Sequence, residues 1–323
     1  MSSVRIIPRL LAFPACAILG QVIWMSSGSS YSLIAIAIWV PVLSYCWFCV
    51  NGLSHELIHE NLPVPTRFGR LMARLIGIPI WIPRRVYKEV HMRHHAYLNT
   101  PLDFELWPYS DPNASLRFRR AFVWFDVLLG YFATPMIWGR ICFSRHSPAS
   151  DEAKQEMRME YAITGMAWLT AIAIGAWLHF SGTFTFVWKQ LVFALPILFA
   201  ANMNSVRKMI EHVGTASLDP ISGTRTIVGN GFLTRAYRYL SFELAVHGPH
   251  HRYPKLDHTE LANRMDEIQQ QRPGEDCLVF NSVASALVHT VGSMWNNPAV
   301  GVRTETQATE SPTNRRRKPR QAA

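Results

Sequence analysis

Nine of the thirteen histidines in this 323-residue chain fall into four clusters. His55 and His59 stand in HELIH, His91, His94 and His95 in HMRHH, His212 in MIEHVG, and His247, His250 and His251 in HGPHH. On a helix, residues at i and i+4, or at i, i+3 and i+4, share one face, so each multiple cluster aims its imidazoles at one point. Imidazole suits iron, zinc, copper and nickel and suits magnesium or calcium poorly. Nine convergent imidazoles exceed what one ion takes, since a zinc ion, for instance, takes about four ligands. Two ions with four or five ligands each account for all nine.

Carboxylates accompany the clusters. Glu56 and Glu60 flank the first, Asp103 and Glu105 follow the second, and Glu211 directly precedes His212. A ligating histidine usually donates its other N–H to a carboxylate or carbonyl, which fixes the ring. One or two of these carboxylates are expected in that role, with Asp103, Glu211 and Glu56 as the candidates. The competing use of such a residue is a helix cap or a solvated charge. Cys46 and Cys49 have redox spacing but sit in an apolar run, where a thiolate is disfavoured, so they read as packing residues. His146, His179, His258 and His289 stand apart from the clusters and read as structural.

The elements that must position these groups include four apolar stretches near the roughly 20 residues needed to cross a bilayer. They are about 10–25, 32–50, 161–180 and 184–203. Pro14, Pro41 and Pro196 lie inside them, which membrane helices tolerate better than soluble ones. Lys189 stands near one end, where it can snorkel to the interface. Uncharged connectors, Ser26–Ser30 and Ser181–Thr183, join the stretches in pairs, whereas the segments after the second and fourth are rich in arginine. By the positive-inside rule both termini and both long segments are then cytoplasmic. The expected fold is all-α and integral to the membrane: four transmembrane helices in two hairpins, with a cytosolic helical cap carrying the histidines. Residues 1–300 form one domain and 301–323 a basic disordered tail. Segments 71–83 and 121–139 read as interfacial or re-entrant helices. Ala15-Cys16-Ala17 resembles a signal cleavage site, but Arg9 breaks the apolar run and further spans follow.

Position along the chain supports a metal site at the membrane surface. All nine clustered histidines lie on the cytoplasmic side of this topology. Helices that continue out of the bilayer at about 1.5 Å per residue hold His55 roughly 8 Å and His212 roughly 13 Å above it. One HxxHH alone would read as surface histidines; four clusters on one side of a membrane do not.

Charged residues make up only 17% of the chain, which with clustered apolar runs argues against a disordered protein or a coiled coil. Five scattered cysteines imply no disulfide framework. The net charge of +10 suits anionic lipid, and it equally suits an acidic electron donor or acyl carrier protein. Nucleic-acid binding is not expected of a four-span protein.

With these motifs in place, the chain resembles the membrane fatty acid desaturase and hydroxylase superfamily, whose signature is three histidine boxes plus a lone histidine. HELIH at 55–59 matches the first box, HMRHH at 91–95 the second, His212 the lone histidine, and HGPHHRYP at 247–254 the third. Thr224-Arg225-Thr226 and the region of Leu261 are similar too. The resemblance implies a non-haem diiron centre with His55, His59, His91, His94, His95, His212, His247, His250 and His251 as ligands. It also implies dioxygen as co-substrate and a separate electron donor, a ferredoxin or b-type cytochrome. The substrate it implies is a lipid or acyl thioester. One position departs. Some acyl-CoA desaturases carry an asparagine four residues before the lone histidine, where this chain has Lys208. The Glu211-His212 pair is more similar to the hydroxylase and alkane-oxidising branches. The expected activity is desaturation of a fatty acyl or similar lipid chain, with hydroxylation of an alkyl, acyl or carotenoid substrate as the alternative.

Two other classes fit less well. HELIH satisfies the HExxH pattern of zinc proteases, with Glu56 as base and Asp219 as a third ligand, but seven clustered histidines then have no role. A metal transporter places its ligands at mid-membrane depth, and only His179 is near a span.

Overall fold

The computed structural model describes residues 3–271 and 277–301, with side chains from residue 11 onward. The basic tail expected over 301–323 lies, from residue 302, outside the described residues. The helices are α1 (Ser3–Ser26), α2 (Leu33–His59), α3 (Thr66–Gly77), α4 (Arg84–Ala96), α5 (Leu116–Leu128), α6 (Gly130–Phe143), α7 (Asp151–Phe180), α8 (Leu195–His212), α9 (Phe232–Leu240), α10 (His247–Arg252), α11 (Leu261–Gln271) and α12 (Val283–Asn296). Among the described residues the sheet is one short parallel ladder, β1 (Thr226–Ile227) on β2 (Val279–Phe280). The fold is all-helical in character, as expected.

Two helices, α2 and α7, are long and apolar enough to cross a membrane. Ser32 starts α2, its hydroxyl accepting from the Ala35 amide at 3.1 Å. Left-handed Glu60 ends it, its amide donating back to Glu56 and Leu57. The first turns of α2 expose Leu33, Ile34 and Ile38, while its last three turns are buried. Along α7, Leu169, Ile172, Trp177 and Phe180 are all exposed, Phe180 to 86%. Exposed apolar surface on that scale is what a helix shows when lipid is its solvent.

The other two expected spans come out differently. Segment 10–25 is helical as part of α1 (Ser3–Ser26), and over the residues whose side chains are described, Leu11–Ser26, it forms a shorter apolar helix. Segment 184–203 is not one helix. A 3-10 turn occupies Trp188–Ala194 and α8 begins only at Leu195, with Pro196 in its first turn. Proline has no N–H with which to continue an upstream helical ladder. The Gln190 side chain takes up the freed Val187 amide at 3.1 Å.

The interfacial segments are also divided. Segment 71–83 is α3 followed by a turn, because a Cβ on Gly77 would collide with the Ile82 carbonyl and Trp81 adopts φ +56°. Segment 121–139 breaks at Leu129 into α5 and α6. The Gly130 amide donates to Asn202 Oδ1 at 3.0 Å, tying the break to α8. Gly130 is required there, since a Cβ would strike Ser205 and the Ala201 carbonyl.

The core fills the space among the buried end of α2, α4, α5, α6 and the end of α8. Leu53, Leu57, Val86, Val90, Leu106, Val123, Ile137, Ile141 and Met209 interlock there. One ion pair is sealed inside. Asp126 of α5 accepts from Lys208 Nζ at 2.6 Å, Ser205 Oγ at 2.8 Å and Tyr109 Oη at 3.2 Å, and is wholly buried. Its position on α5 thus turns the polar interruption of an apolar segment into a cross-link to α8.

Breaking a buried pair by removing one partner strands the other charge at a cost of about 3–5 kcal/mol, whereas replacing both by apolar groups is often neutral. Asp126→Ala should therefore lower the melting temperature of detergent-solubilised protein markedly, and Asp126→Leu with Lys208→Met should restore most of it. Equal melting of single and double variants would refute the cross-link.

Candidate metal centre

Four helices each deliver histidines to one place. His55 and His59 occupy the last two turns of α2, His91, His94 and His95 the last turns of α4, and His212 the final residue of α8. The short α10 begins at His247 and carries His250 and His251. Gly248 lets α10 lie close to β1: its amide donates to Thr226 Oγ1 at 2.9 Å, and a Cβ would crowd the Thr226 and Thr224 hydroxyls. The Thr224-Arg225-Thr226 segment thereby acquires a physical role. Arg225 is buried under the C-terminus of α8, donating from one terminal nitrogen to the Ile210 carbonyl at 3.1 Å and the Val213 carbonyl at 2.8 Å. A cation there matches the negative end of the helix that presents His212. His289 Nδ1 accepts from Arg225 Nε at 3.0 Å, which gives this unclustered histidine a structural use.

The structure brings all nine clustered histidines together, and they divide into two sets. The ligand atoms of His55, His59, His91 and His250 lie within 4.8 Å of one another, as do those of His94, His212, His247 and His251. All eight are buried. His95 stands between the sets, its ring centroid 4.7 Å from His250 and 4.3 Å from His251. The Nε2 atoms face each other: 2.9 Å between His55 and His250, 2.9 Å between His59 and His91, 3.1 Å between His95 and His91, and 2.8 Å between His247 and His212.

The opposite ring nitrogens decide what those Nε2 atoms are. His94 Nδ1 donates to Asp103 Oδ2 at 2.8 Å, and His91 Nδ1 donates to Glu105 Oε2 at 2.9 Å. With the proton held at Nδ1, Nε2 presents a bare lone pair. The His91 lone pair then meets both His59 and His95. A dry interior that gathers this many lone pairs fits a cation that accepts them. Burial, reinforced by neighbouring imidazoles, holds His95, His250 and His251 well below the ordinary histidine value, so they stay neutral and able to ligate. Burial alone would raise Glu105, but His91 and His94 outweigh it and bring the carboxyl to about 2. The same carboxylates hold His94 above its ordinary value although burial opposes this.

The carboxylate candidates therefore part ways. Asp103 and Glu105 each accept from a clustered histidine. Asp103 also accepts from the Asn99 amide at 3.1 Å. Asn99, unremarked in the sequence, uses its side-chain amide to hold the Ser217 and Gly223 carbonyls at 2.8 Å each, fastening the loop after α8 to the second box. Glu56 instead places Oε2 4.0 Å from Nδ1 of His258, outside the clusters. Glu60 points away, to Arg70, Arg84 and Lys88. Glu211 is gripped by one Arg207 nitrogen at 2.9 and 2.7 Å, and its Oε2 comes within 3.6 Å of His247 Nε2. It approaches the convergent face of that ring rather than steadying the far side. Asp219 pairs with Arg252 at 2.9 Å.

A narrow cleft leads toward the first set. Its apolar wall includes Val50, Ile76, Ile80, Ile82, Trp138 and Ile197, from α2, the α3–α4 turn, α6 and α8. At its inner end stand Tyr87, whose hydroxyl is 3.5 Å from His55 Nδ1, and Glu105.

A protein-family model described as fatty acid desaturase matches residues 29–282, a span that contains all nine histidines. No curated protein matches the chain.

Loss of a carboxylate that orients a metal-bound histidine typically weakens metal affinity about 10- to 100-fold. Asp103→Asn should show that loss for a transition metal, measured as metal retained after dialysis against graded chelator. Glu267→Gln, an equal charge change on exposed α11, should not. Equal retention in both variants would remove Asp103 from the site.

Proposed function

We propose that this chain, which belongs to the fatty acid desaturase family, is a membrane diiron oxidoreductase that introduces a double bond into a fatty acyl or similar lipid chain. One observation carries the reading: a narrow, largely apolar cleft ends at Tyr87 and Glu105, beside His55 and His91 of the first of two buried four-histidine sets. Imidazole-only donor sets suit iron, and two sets suit two ions. An iron pair held by the nine histidines would supply the activation of dioxygen, with two electrons from an external donor. The balance for desaturation is one dioxygen, two electrons and two protons for each CH2–CH2 converted to CH=CH, with two waters released.

The chain's own residues handle position. The walls of the cleft admit an extended alkyl chain and exclude bulk water from the inner end. Holding one methylene against the site decides which bond reacts, because orientation alone is worth several orders of magnitude in rate. Tyr87 and Glu105 close the cleft against His55 and His91, so the reacting carbon stops beside the first set. Asp103 and Glu105 keep the His94 and His91 protons on the outer nitrogens.

The membrane placement belongs to the same proposal. Four spans in two hairpins put both termini and the histidines on the cytoplasmic side, with α1 and the broken segment ahead of α8 as the two atypical crossings. A ferredoxin or b-type cytochrome would dock on that side, and an acyl thioester or membrane lipid would enter the cleft. Hydroxylation is the second reading. It consumes the same dioxygen and electrons but leaves one oxygen in the product. The Glu211 carboxylate, 3.6 Å from His247 Nε2, is the feature that favours it. The protease reading is not supported, since Glu56 lies against His258 and Asp219 against Arg252.

An untargeted mass comparison of lipids and small metabolites tests the proposal, in a host expressing this chain or the same chain with His94→Ala and His250→Ala. A species lighter by two hydrogens and absent with the variant is expected. A species heavier by one oxygen would make the enzyme a hydroxylase. No changed species from metal-replete protein supplied with electrons would overturn both readings. Thr134→Trp, which fills the cleft without touching a histidine, should cut turnover on the order of 100-fold while metal content stays unchanged. Unchanged turnover would mean that the substrate arrives by another route.

A further inference from the structure

A second cavity lies away from the histidines, with about 700 Å³ of unfilled space between α3, α4 and the first turns of α7. Its lining is Arg70, Arg74, Arg84, Arg85, Lys88, Glu156, Met159 and Glu160. Five cations converge there. The carboxylates that answer them are Glu60, Glu89, Glu156 and Glu160: Glu60 takes Arg70, Arg84 and Lys88 at 3.2–3.4 Å, Glu160 takes Arg74 at 3.0 Å, and Arg85 is shared by Glu156 at 2.6 Å and Glu89 at 3.9 Å. Glu89 also holds Arg93 at 2.9 Å, so six cations face four carboxylates and two positive charges are left over.

The pairing is uneven in geometry as well as in number. One Glu60 oxygen serves three cations at once, none closer than 3.2 Å. Arg84 is 7% exposed, and its Nε has no hydrogen-bond partner among the described residues. A buried guanidinium donor without an acceptor is costly. An anion with several oxygens would relieve it, and planar guanidinium groups are suited to bidentate contact with phosphate.

The surroundings fix the depth of the cavity. On α3, Phe68, Leu71 and Leu75 are exposed on the side away from the core, as in a helix lying in an interface. On α7 the charged turns end at Glu160, and exposed Ile163 and Met166 follow. The cavity thus opens at the level where charged chain gives way to apolar chain. Basic pockets at that level hold lipid head groups.

We infer that this cavity is a binding site for a phosphate ester, seated among Arg70, Arg74, Arg84, Arg85 and Lys88. Two sources share that chemistry, the head group of an anionic phospholipid and a soluble phosphate ester. The site adjoins the metal centre through covalent neighbours only: Glu60 follows His59, and Arg84 and Lys88 open the helix that carries His91, His94 and His95. The head-group source rests on the membrane placement proposed above; the soluble source does not.

The test uses the full chain in neutral detergent. Native mass spectrometry and a binding titration compare short-chain phosphatidylglycerol, phosphatidylcholine with the same acyl chains, and glycerol 3-phosphate. Phosphatidylglycerol is expected to bind in preference to phosphatidylcholine. Arg74→Gln with Lys88→Gln should weaken it about 10-fold or more, since each basic residue near a lipid surface contributes about 1 kcal/mol and 1.4 kcal/mol is tenfold. Glu156→Gln should do the opposite and tighten it. Binding of glycerol 3-phosphate with the same sensitivity would assign the site to soluble esters. The inference is overturned if neither phosphate compound responds to either substitution. It is overturned equally if Glu156→Gln weakens binding as the double variant does, for then the carboxylate serves the ligand no differently from the cations. None of these readouts uses turnover, so failure here leaves the proposed activity untouched.

Discussion

Everything near the histidines follows from one constraint: bare imidazole lone pairs brought together in a dry interior repel unless a cation lies among them. Water cannot screen them, because eight of the nine rings are buried. Protons cannot all intervene, because Asp103 and Glu105 hold those of His94 and His91 on the far side of each ring. The fold therefore has to hold an arrangement that is unfavourable on its own terms, and the surrounding architecture shows how. Four helix ends meet, and each end is fixed by a polar contact that does not involve a histidine. Glu60 in its left-handed conformation stops α2, and Arg225 closes α8. Asn99 ties the second box to the loop after α8, and the Gly248 amide ties α10 to β1.

The second requirement is to keep these ends from shifting relative to the cleft. The Asp126–Lys208 pair links α5 to α8 within the core, and Arg207 is clamped to Glu211 one residue before His212. Both cations lie on the same turn of α8 and both line the cleft. Interlocked apolar side chains already resist sliding by shape, and a buried charge with one correct partner adds a directional constraint to it. Lys208, at the position where the chain departs from some members of the family it resembles, is thus part of a structural cross-link.

Much of the site was legible because ligand spacing is a helical property. HxxxH and HxxHH declare both the helix and the face, and α2 and α8 do continue from apolar chain to the histidines they carry. Composition likewise revealed α7. What was not legible depends on contacts between distant segments. Asp103 and Glu56 each lie close in sequence to a histidine box, yet one meets His94 and the other His258. The turn after α4 brings Asp103 back onto its own box, whereas a segment far along the chain brings His258 to Glu56. Asn99 and Arg225 carry no pattern that distinguishes them from ordinary polar residues. The breaks at Leu129 and before Leu195 were obscured by hydropathy, which reports that a segment is apolar and not whether it is one helix. Pro196 was visible, but a proline inside a membrane helix and a proline in its first turn look alike in sequence.

On α8, which starts at Leu195, Ile197, Ala200, Ala201, Asn204 and Ser205 line the cleft together with residues of α6 and the α3–α4 turn. Gly130 lets the start of α6 pack directly on Ala201 and Ser205 at one edge of it. The same helix that lines the cleft ends at His212, so one wall of the cleft and one of the four-histidine sets are fixed to a single element.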